Sequence, residues 1–469
     1  MAKIIAECRT DEIRIAVLEE GVLRDILIDV PGRDDVTGHI YKAVVRNVRP
    51  GMEAAFVDIG RGANAYLNLK KSKHTKRIGK LHEGQSIIVQ AVKEEMLGKS
   101  ARVTVDISLA GRFTVLLPHT TELRMSKKIT DESARQRLRS AASPYLEQGC
   151  GFIVRTAAVT AGEDALKADM EYLHKTWEQI RKRYDIAKGA TELYRDADIW
   201  LRLVRDFFSP DVDEVVVDNP EVAARLEELS DDGRKVRIVT ETGKVSLFEA
   251  YRIEPQLEEL LNAEVPLPSG GYLRIDRTEA LTVIDVNSGH FSGRTDDAGE
   301  TAFAVNVEAA DEILRQLRLR NIGGIIICDF IDMPKKEQRE GLLVLLGEKA
   351  RRDRVKTVVC GMTSLGLVEM TRKRERKELR DVFFKTCDTC GGIGYVLSAE
   401  ALLRNIGRRL SSLQRSGRLR TDIRLTVHPD TASAITDEVV AAWKASVHRD
   451  IVVEADERTS REAYSIGAR

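Results

Sequence analysis

The chain has 469 residues, 43% of them hydrophobic and 32% charged, a composition that suits a globular protein of several domains and excludes a disordered or fibrous one. Lysine plus arginine equals aspartate plus glutamate at 74 each, so attraction for a polyanion has to come from local basic patches and not from a net field. The opening MAKIIAECRTDE turns charged within a few residues, and no apolar run approaches the roughly 18 residues of a membrane span; the expectation is a cytoplasmic protein with no membrane partner.

In chain order, Ile13, Ile15 and Val17 alternate with polar residues, Glu20-Gly21 supplies a turn, and Ile26, Ile28 and Val30 resume the alternation, which predicts a β-hairpin. From about Gly38 to Phe113 come IYKAVVRNV, AAFVDIG, AYLNL, SIIVQAVKEE and ARVTVDISL. Five short strands of period two predict a small antiparallel barrel of the OB type. Within it, Lys70 to Lys80 carries six basic residues and no acidic one. Such barrels bind single strands by stacking bases on aromatics beside a cationic groove, for which Phe56, Tyr66, Lys99 and Arg102 are suitable groups. The alternation equally allows Phe56 to be core and the lysine run to be a solvated loop. Residues 114–200, with GFIVRTAA and the amphipathic ADMEYLHKTWEQIRKRYDIA, predict a small α+β module. An acidic helix, the strand EVVVD and a hairpin over RKVRIVTETGKVSLF are expected between 201 and 260, closing at the turn-rich PLPSGGY.

The most informative stretch runs from Leu273 to Cys360. LTVIDVNSG is an apolar run ending in polar residues. FAVNVEAADEILRQLRLR places Phe303, Val307, Ala310, Ile313, Leu314 and Leu317 at helical spacing, and IIICDFID is an apolar run ending in acid. This β-α-β unit predicts two parallel strands whose carboxyl ends share one sheet edge, where open α/β sheets place their sites. Asp285 and Asn287, two apart on a strand, share a face on which Asp329 can converge. Two carboxylates and an amide oxygen are hard ligands suited to magnesium, an ion that activates water for in-line phosphodiester hydrolysis. Asp332 is a weaker candidate, on the other face or capping a helix near Pro334, and His290 reads as an exposed loop residue. Downstream, Arg372, Lys373, Arg374, Arg376 and Lys377 are expected on a helix as partners for phosphates, with a solvated face as the alternative.

Cys8, Cys150, Cys328 and Cys360 are scattered, whereas Cys387 and Cys390 form C-x-x-C in CDTCGGIG. Two thiolates are half of a zinc tetrahedron. A symmetric pair of subunits can supply the rest, giving a zinc-joined dimer; a free or redox-active dithiol is the alternative.

IDVNSG, LRLRNIGGIIICDFIDM, LGLVEMTRKR and the C-x-x-C-x-G-x-G together resemble the bacterial ribonuclease E/G family. The resemblance extends through AAFVDIG and KSARVTVDISLAGRF and is weakest over the last 70 residues. It implies a multidomain α/β and α+β architecture. An RNase H-like domain (1–36 and 201–260) is interrupted by an OB-type RNA-binding barrel (37–113) and a 5′-sensor (114–200). A DNase I-like catalytic domain (261–385), a zinc-link (386–398) and a small C-terminal domain (399–469) follow. The implied activity is magnesium-dependent cleavage of single-stranded, often A/U-rich RNA to 5′-phosphate and 3′-hydroxyl ends, stimulated by a 5′-monophosphate, in rRNA maturation and mRNA decay. By motif, Asp285 and Asp329 would hold magnesium and Asn287 would orient a carboxylate or the scissile phosphate. Arg155 and Thr156 would sense the 5′-phosphate, and Phe56, Tyr66 and Lys99 would touch RNA. Cys387 and Cys390 would share a zinc ion across a homodimer, with tetramers in the same family. Position 66 is usually phenylalanine in such relatives, and Asp388 stands where a proline is often found. A non-catalytic RNA-binding scaffold and a DNA-directed nuclease are the competing classes.

Overall fold

The computed structural model describes residues 2–30, 36–70, 80–93, 100–146, 149–196, 199–208, 212–230, 236–289, 298–374 and 377–468. The chain forms two compact units, residues 1–382 and 383–469. No helix among the described residues is long and apolar enough to cross a membrane.

The first unit begins with three antiparallel strands, Ala2–Cys8, Ile13–Glu19 and Val22–Asp29. Glu20 and Gly21 join the last two at φ 54° and 80°, the left-handed pair that a two-residue type I′ turn needs. The chain leaves this sheet and returns to it at Val212–Val217, which adds parallel to Ala2–Cys8; Arg237–Thr240 then adds parallel to that. Both faces are covered. Ile4, Ala6, Val215 and Val217 pack on the helices Ile199–Phe207 and Pro220–Ser230, while Ile5 and Val216 pack on Leu247, Phe248, Ile253 and Leu257. The hairpin expected over 234–248 does not form. Its first arm pairs with Val212–Val217, and its second begins a helix, Leu247–Ala250, whose N-cap Ser246 accepts a hydrogen bond from Glu249 N.

Between these parts, Ile40–Arg49, Ala54–Asp58, Asn64–Asn68, Arg102–Thr104 and Ser86–Lys93 close into a five-stranded barrel, because the first also pairs with the last. The third and fifth strands in sequence are parallel, the other neighbours antiparallel. This is the expected OB-like closure. A four-stranded sheet of Leu109–Ala110, Thr114–Leu117, Leu123–Met125 and Gly151–Val154 follows, packed on the helices Glu132–Leu146 and Glu163–Ile186. Thr191–Tyr194 then returns to the barrel beside Ile40–Arg49.

A six-stranded sheet completes the unit, in the order Glu264–Pro266, Tyr272–Arg277, Leu281–Asn287, Gly324–Asp329, Val368–Arg372, Thr357–Met362. Leu281–Asn287 and Gly324–Asp329 are adjacent and parallel, joined through the 22-residue helix Ala298–Leu319. Helices cover one face, where Ile284, Val286, Ile326, Cys328 and Met370 meet Ala309, Ile313, Leu317, Leu342 and Leu346. The alternate residues occupy the other, more open face. In the second unit, Ile423–Val427 lies between Ile451–Ala455 and Tyr464–Ala468, beneath the helices Ala399–Arg415 and Asp437–Val447.

Candidate active site

Leu281–Asn287 buries Thr282, Ile284 and Val286 and leaves Leu281, Val283, Asp285 and Asn287 half-buried, so the core itself orients the polar residues to one face. On the neighbouring parallel strand, Asp329 is the register partner of Asp285. Asn287 Nδ2 donates to Asp285 Oδ2 at 2.9 Å, which fixes the amide and the carboxylate against each other. Burial, the Asp285 carboxylate and Asp332 all push the Asp329 carboxyl above the usual range. Asp332 therefore acts on the same locality. It does not cap the following helix, whose N-cap is Lys335 with no side-chain cap bond. Beside it, Phe330–Met333, Arg339 and Met362–Gly366 line a cavity of about 390 Å3.

The segment after Asp329 is held by a residue that periodicity did not single out. Asn306, fully buried in the helix Ala298–Leu319, donates from Nδ2 to Ile331 O at 2.8 Å and accepts from Ile331 N at 3.0 Å through Oδ1. A polar side chain on the core face of an otherwise apolar helix was the available signal.

Two facing carboxylates with an amide beside them form an open, all-oxygen donor set. Such a set fits magnesium, which usually takes one or two carboxylates and keeps water or substrate phosphate for its other positions. Among the described residues no three His, Cys, Asp or Glu side chains gather to hold an ion by themselves.

In the barrel, Phe56 and Tyr66 are cross-strand partners with ring centroids 5.9 Å apart at 71°. Ala55, Val57, Ala65 and Leu67 point to the core, so Phe56 and Tyr66 are half-buried on the outer face, and the alternative of a core Phe56 is set aside. Arg102 lies opposite Tyr66 on the next strand. Lys99 and residues 71–79 of the basic run lie outside the described residues, as do His290 and Arg376.

Arg155 follows the strand Gly151–Val154 and is half-buried. Nη1 donates to Gly111 O at 2.8 Å and Nη2 to Asp206 Oδ1 at 2.9 Å. Asp206 also pairs with Arg205 at 2.9 Å. Burial pushes the Asp206 carboxyl up, but Arg205 and Arg155 together hold it below the usual range. Thr156 is exposed, its hydroxyl 3.1 Å from Ser126 Oγ.

Residues 108–375 match the family model described as the Ribonuclease E/G family. The chain is 37% identical over 427 residues to Ribonuclease G of Escherichia coli K12, covering 87% of each chain. It is 37% identical over 426 residues to Ribonuclease G of Haemophilus influenzae, again 87% of each. The chain belongs to the ribonuclease E/G family. Ribonuclease E of Escherichia coli K12 is 36% identical over 422 residues, 86% of this chain and 40% of that longer relative.

In the second unit, Cys387 and Cys390 bound a tight turn in which Gly391 N donates to Cys387 O at 2.8 Å and Gly394 N to Cys390 Sγ at 3.3 Å. Gly391, Gly392 and Gly394 all take positive φ, which only glycine adopts freely. Amide hydrogens of Cys390 and Thr389 lower the Cys387 thiol, and Asp388 turns to Lys385 at 2.8 Å. The turn supplies two thiols, half of a zinc tetrahedron.

Among the described residues of the basic cluster after Met370, Arg372, Lys373, Arg374 and Lys377 are not helical. Arg372 ends the strand Val368–Arg372 and is buried, with Nε 2.8 Å from Asp353 Oδ2 and Nη1 donating to Ile322 O at 3.0 Å. Arg374 donates to Gly323 O at 2.8 Å. Both are structural ties between strands and loops, with these donors already committed.

Proposed function

We propose that this endoribonuclease of the E/G family hydrolyses single-stranded, A/U-rich RNA by a magnesium-dependent route centred on Asp285, Asn287 and Asp329. The observation that carries the reading is the pairing of Asp285 with Asp329 across adjacent parallel strands. Bound to the two carboxylates, magnesium would polarise the phosphodiester and lower the pKa of a water. Asp285 and Asp329 would hold the ion, and Asn287 keeps Asp285 in one orientation through its Nδ2 bond. Asn306 fixes the backbone that follows Asp329. Attack of water on phosphorus with departure of the 3′-oxygen leaves a 3′-hydroxyl on one fragment and a 5′-phosphate on the other.

Phe56 and Tyr66 offer a base a flat partner on the outside of the barrel, with Arg102 beside them for phosphate, and Lys99 belongs to the same proposed surface. Arg155 and Thr156 would take a 5′-monophosphate by charge-assisted hydrogen bonds, and so raise the rate on monophosphorylated ends. The five-stranded sheet built from residues 2–29 and 212–240 supports the reading of an RNase H-like domain interrupted by barrel and sensor, ahead of a DNase I-like domain carrying the metal. Cys387 and Cys390 would share a zinc ion with a second copy, giving a homodimer that can pair into a tetramer. Its place would be the cytoplasm, in rRNA maturation and mRNA decay.

The test is cleavage of a 5′-monophosphorylated A/U-rich RNA with magnesium and after chelation, beside its 5′-hydroxyl form and a DNA strand of the same sequence. Expected are magnesium-dependent cuts ending in 3′-hydroxyls, faster on the monophosphate, with the DNA intact. Persistent cutting in chelator, or 2′,3′-cyclic phosphate ends, would overturn the hydrolytic centre. Equal cutting of DNA would overturn the substrate.

A further inference from the structure

The second unit carries a charge pattern that the metal centre, the barrel and the sensor leave unused. Between residues 401 and 421 there are six arginines (404, 408, 409, 415, 418 and 420), no lysine and no acidic residue, in a chain whose overall charge is zero. All six are exposed. Among the described residues none lies within ion-pair distance of a carboxylate, although Arg424–Glu454, Lys444–Asp450 and Arg461–Asp430 in the same unit pair at 3.1 to 3.3 Å. Glu400, one turn before Arg404, is the acid nearest the row; Ser398 first and Arg404 in smaller part hold its carboxyl low, Arg404 from beyond ion-pair distance, and the carboxylates of unit two that do pair are engaged with basic groups elsewhere.

The helix Ala399–Arg415 turns Leu402, Ile406 and Leu410 to the core. Arg404, Arg408, Ser411 and Arg415 follow one another by four, three and four residues along the other side, rising about 6, 4.5 and 6 Å per step. They line one side of a groove of about 630 Å3 against the helix Asp437–Val447. Gly407 makes the close approach possible: a Cβ there would stand 2.9 Å from Trp443 Nε1, so the helices meet over a glycine; of the arginine heads beside it, Arg408 donates to Asn405 Oδ1 on its own helix. A row of cations with a small hydroxyl between them matches a chain of phosphates. Arginine forks, unlike lysine's point charge, grip phosphate oxygens in pairs.

We propose that the Arg404–Arg408–Ser411–Arg415 face of the second unit, with the groove beside it, binds the phosphate backbone of RNA, in addition to the metal centre, barrel and sensor proposed in the first unit. RNA is the polyanion chosen because a ribonuclease-family chain meets it as substrate, and because the charge on this face is complementary to it. The contacts would be to backbone and would carry no base preference.

The experiment uses the full chain with metal chelated, so that binding is read without cleavage and does not depend on the hydrolytic reading. A fluorescent RNA of mixed sequence is titrated at several salt concentrations against wild type, the triple variant Arg404→Gln/Arg408→Gln/Arg415→Gln, and the corresponding triple Arg→Lys variant. With each lost phosphate contact removing roughly 0.7 from the log–log salt slope, the Gln variant should lose about 2 from the slope and bind on the order of tenfold more weakly near physiological salt. The Lys variant should keep most of the slope, which also guards against a Gln variant that misfolds. Unchanged affinity and slope in a folded Gln variant would overturn the proposal and leave a solvated face. RNA binding unchanged, with loss of flotation on phosphatidylserine vesicles that wild type shows, would overturn it in favour of a membrane surface.

Discussion

Replacing Asn306 by alanine removes both side-chain atoms that hold Ile331. The helix position is fully buried, so the Ile331 N–H and C=O lose partners where water reaches poorly. Leaving this part-buried donor and acceptor unmade costs up to about 1–3 kcal/mol each, or roughly 2–6 kcal/mol together if the loop stays in place. The cheaper response is for residues 330–333 to shift, and a shift of about 1 Å at a catalytic group can cost on the order of 100-fold in rate. Asn306→Ala should therefore lower kcat by about tenfold or more with little change in KM, since the barrel and sensor are untouched, and should lower the urea midpoint. Asn306→Asp keeps the acceptor for Ile331 N–H but sets an oxygen against Ile331 O, and should be no better than alanine. Kinetics and urea unfolding on the three proteins decide it. Wild-type kcat and midpoint in Asn306→Ala would refute the claim that this amide positions the segment after Asp329.

Phe56→Ala should weaken RNA binding by about 1–3 kcal/mol, the worth of one stacked base, whereas Tyr66→Phe should change affinity little; direct titration of RNA reads both, and a neutral Phe56→Ala would remove the stacking role. Arg155→Ala should narrow the rate difference between 5′-monophosphate and 5′-hydroxyl RNA while sparing the latter, and an unaltered ratio would end the sensor assignment. Asp206, held low by Arg205 and Arg155 against the opposing effect of burial, contributes stability that is present above its unfolded pKa and is lost as pH falls through the lowered folded value. The urea midpoint of wild type should accordingly exceed that of Asp206→Asn near pH 6 and converge on it below about pH 4; a gap constant down to pH 3 would contradict the ion-pair account. Cys387→Ser and Cys390→Ser should each lower zinc content and dissociate oligomers, and zinc retained at one ion per two chains would rule out the shared site.

The parts of the site that were legible in the sequence are those fixed by local pattern. Two apolar runs ending in acid, separated by one amphipathic helix, leave few arrangements other than a right-handed parallel crossover, and the structure sets Asp285 opposite Asp329. Phe56 was undecidable because alternation defines two faces without saying which is inward; closure of the barrel, with Ala55 and Val57 in its core, settles it. Arg372 misled because a charge run was weighed without its partner, and Asp353, 19 residues earlier, draws it into the core. Residues 234–248 resemble two strands in composition, but a non-local parallel partner, Val212–Val217, takes the first arm and a Ser246 cap starts a helix in the second. Asn306 is invisible to the apolar periodicity of its helix, because it stands on the core face as a polar residue.

The central claim is that Asp285 and Asp329 form the hydrolytic centre. Single-turnover cleavage of a 5′-monophosphorylated RNA in magnesium by Asp285→Asn and Asp329→Asn, with RNA affinity measured alongside, tests it most directly. A rate loss on the order of 1000-fold is expected, about 4 kcal/mol of transition-state stabilisation, with affinity near that of wild type. Cleavage by either variant within about threefold of wild type, less than 1 kcal/mol, would contradict it.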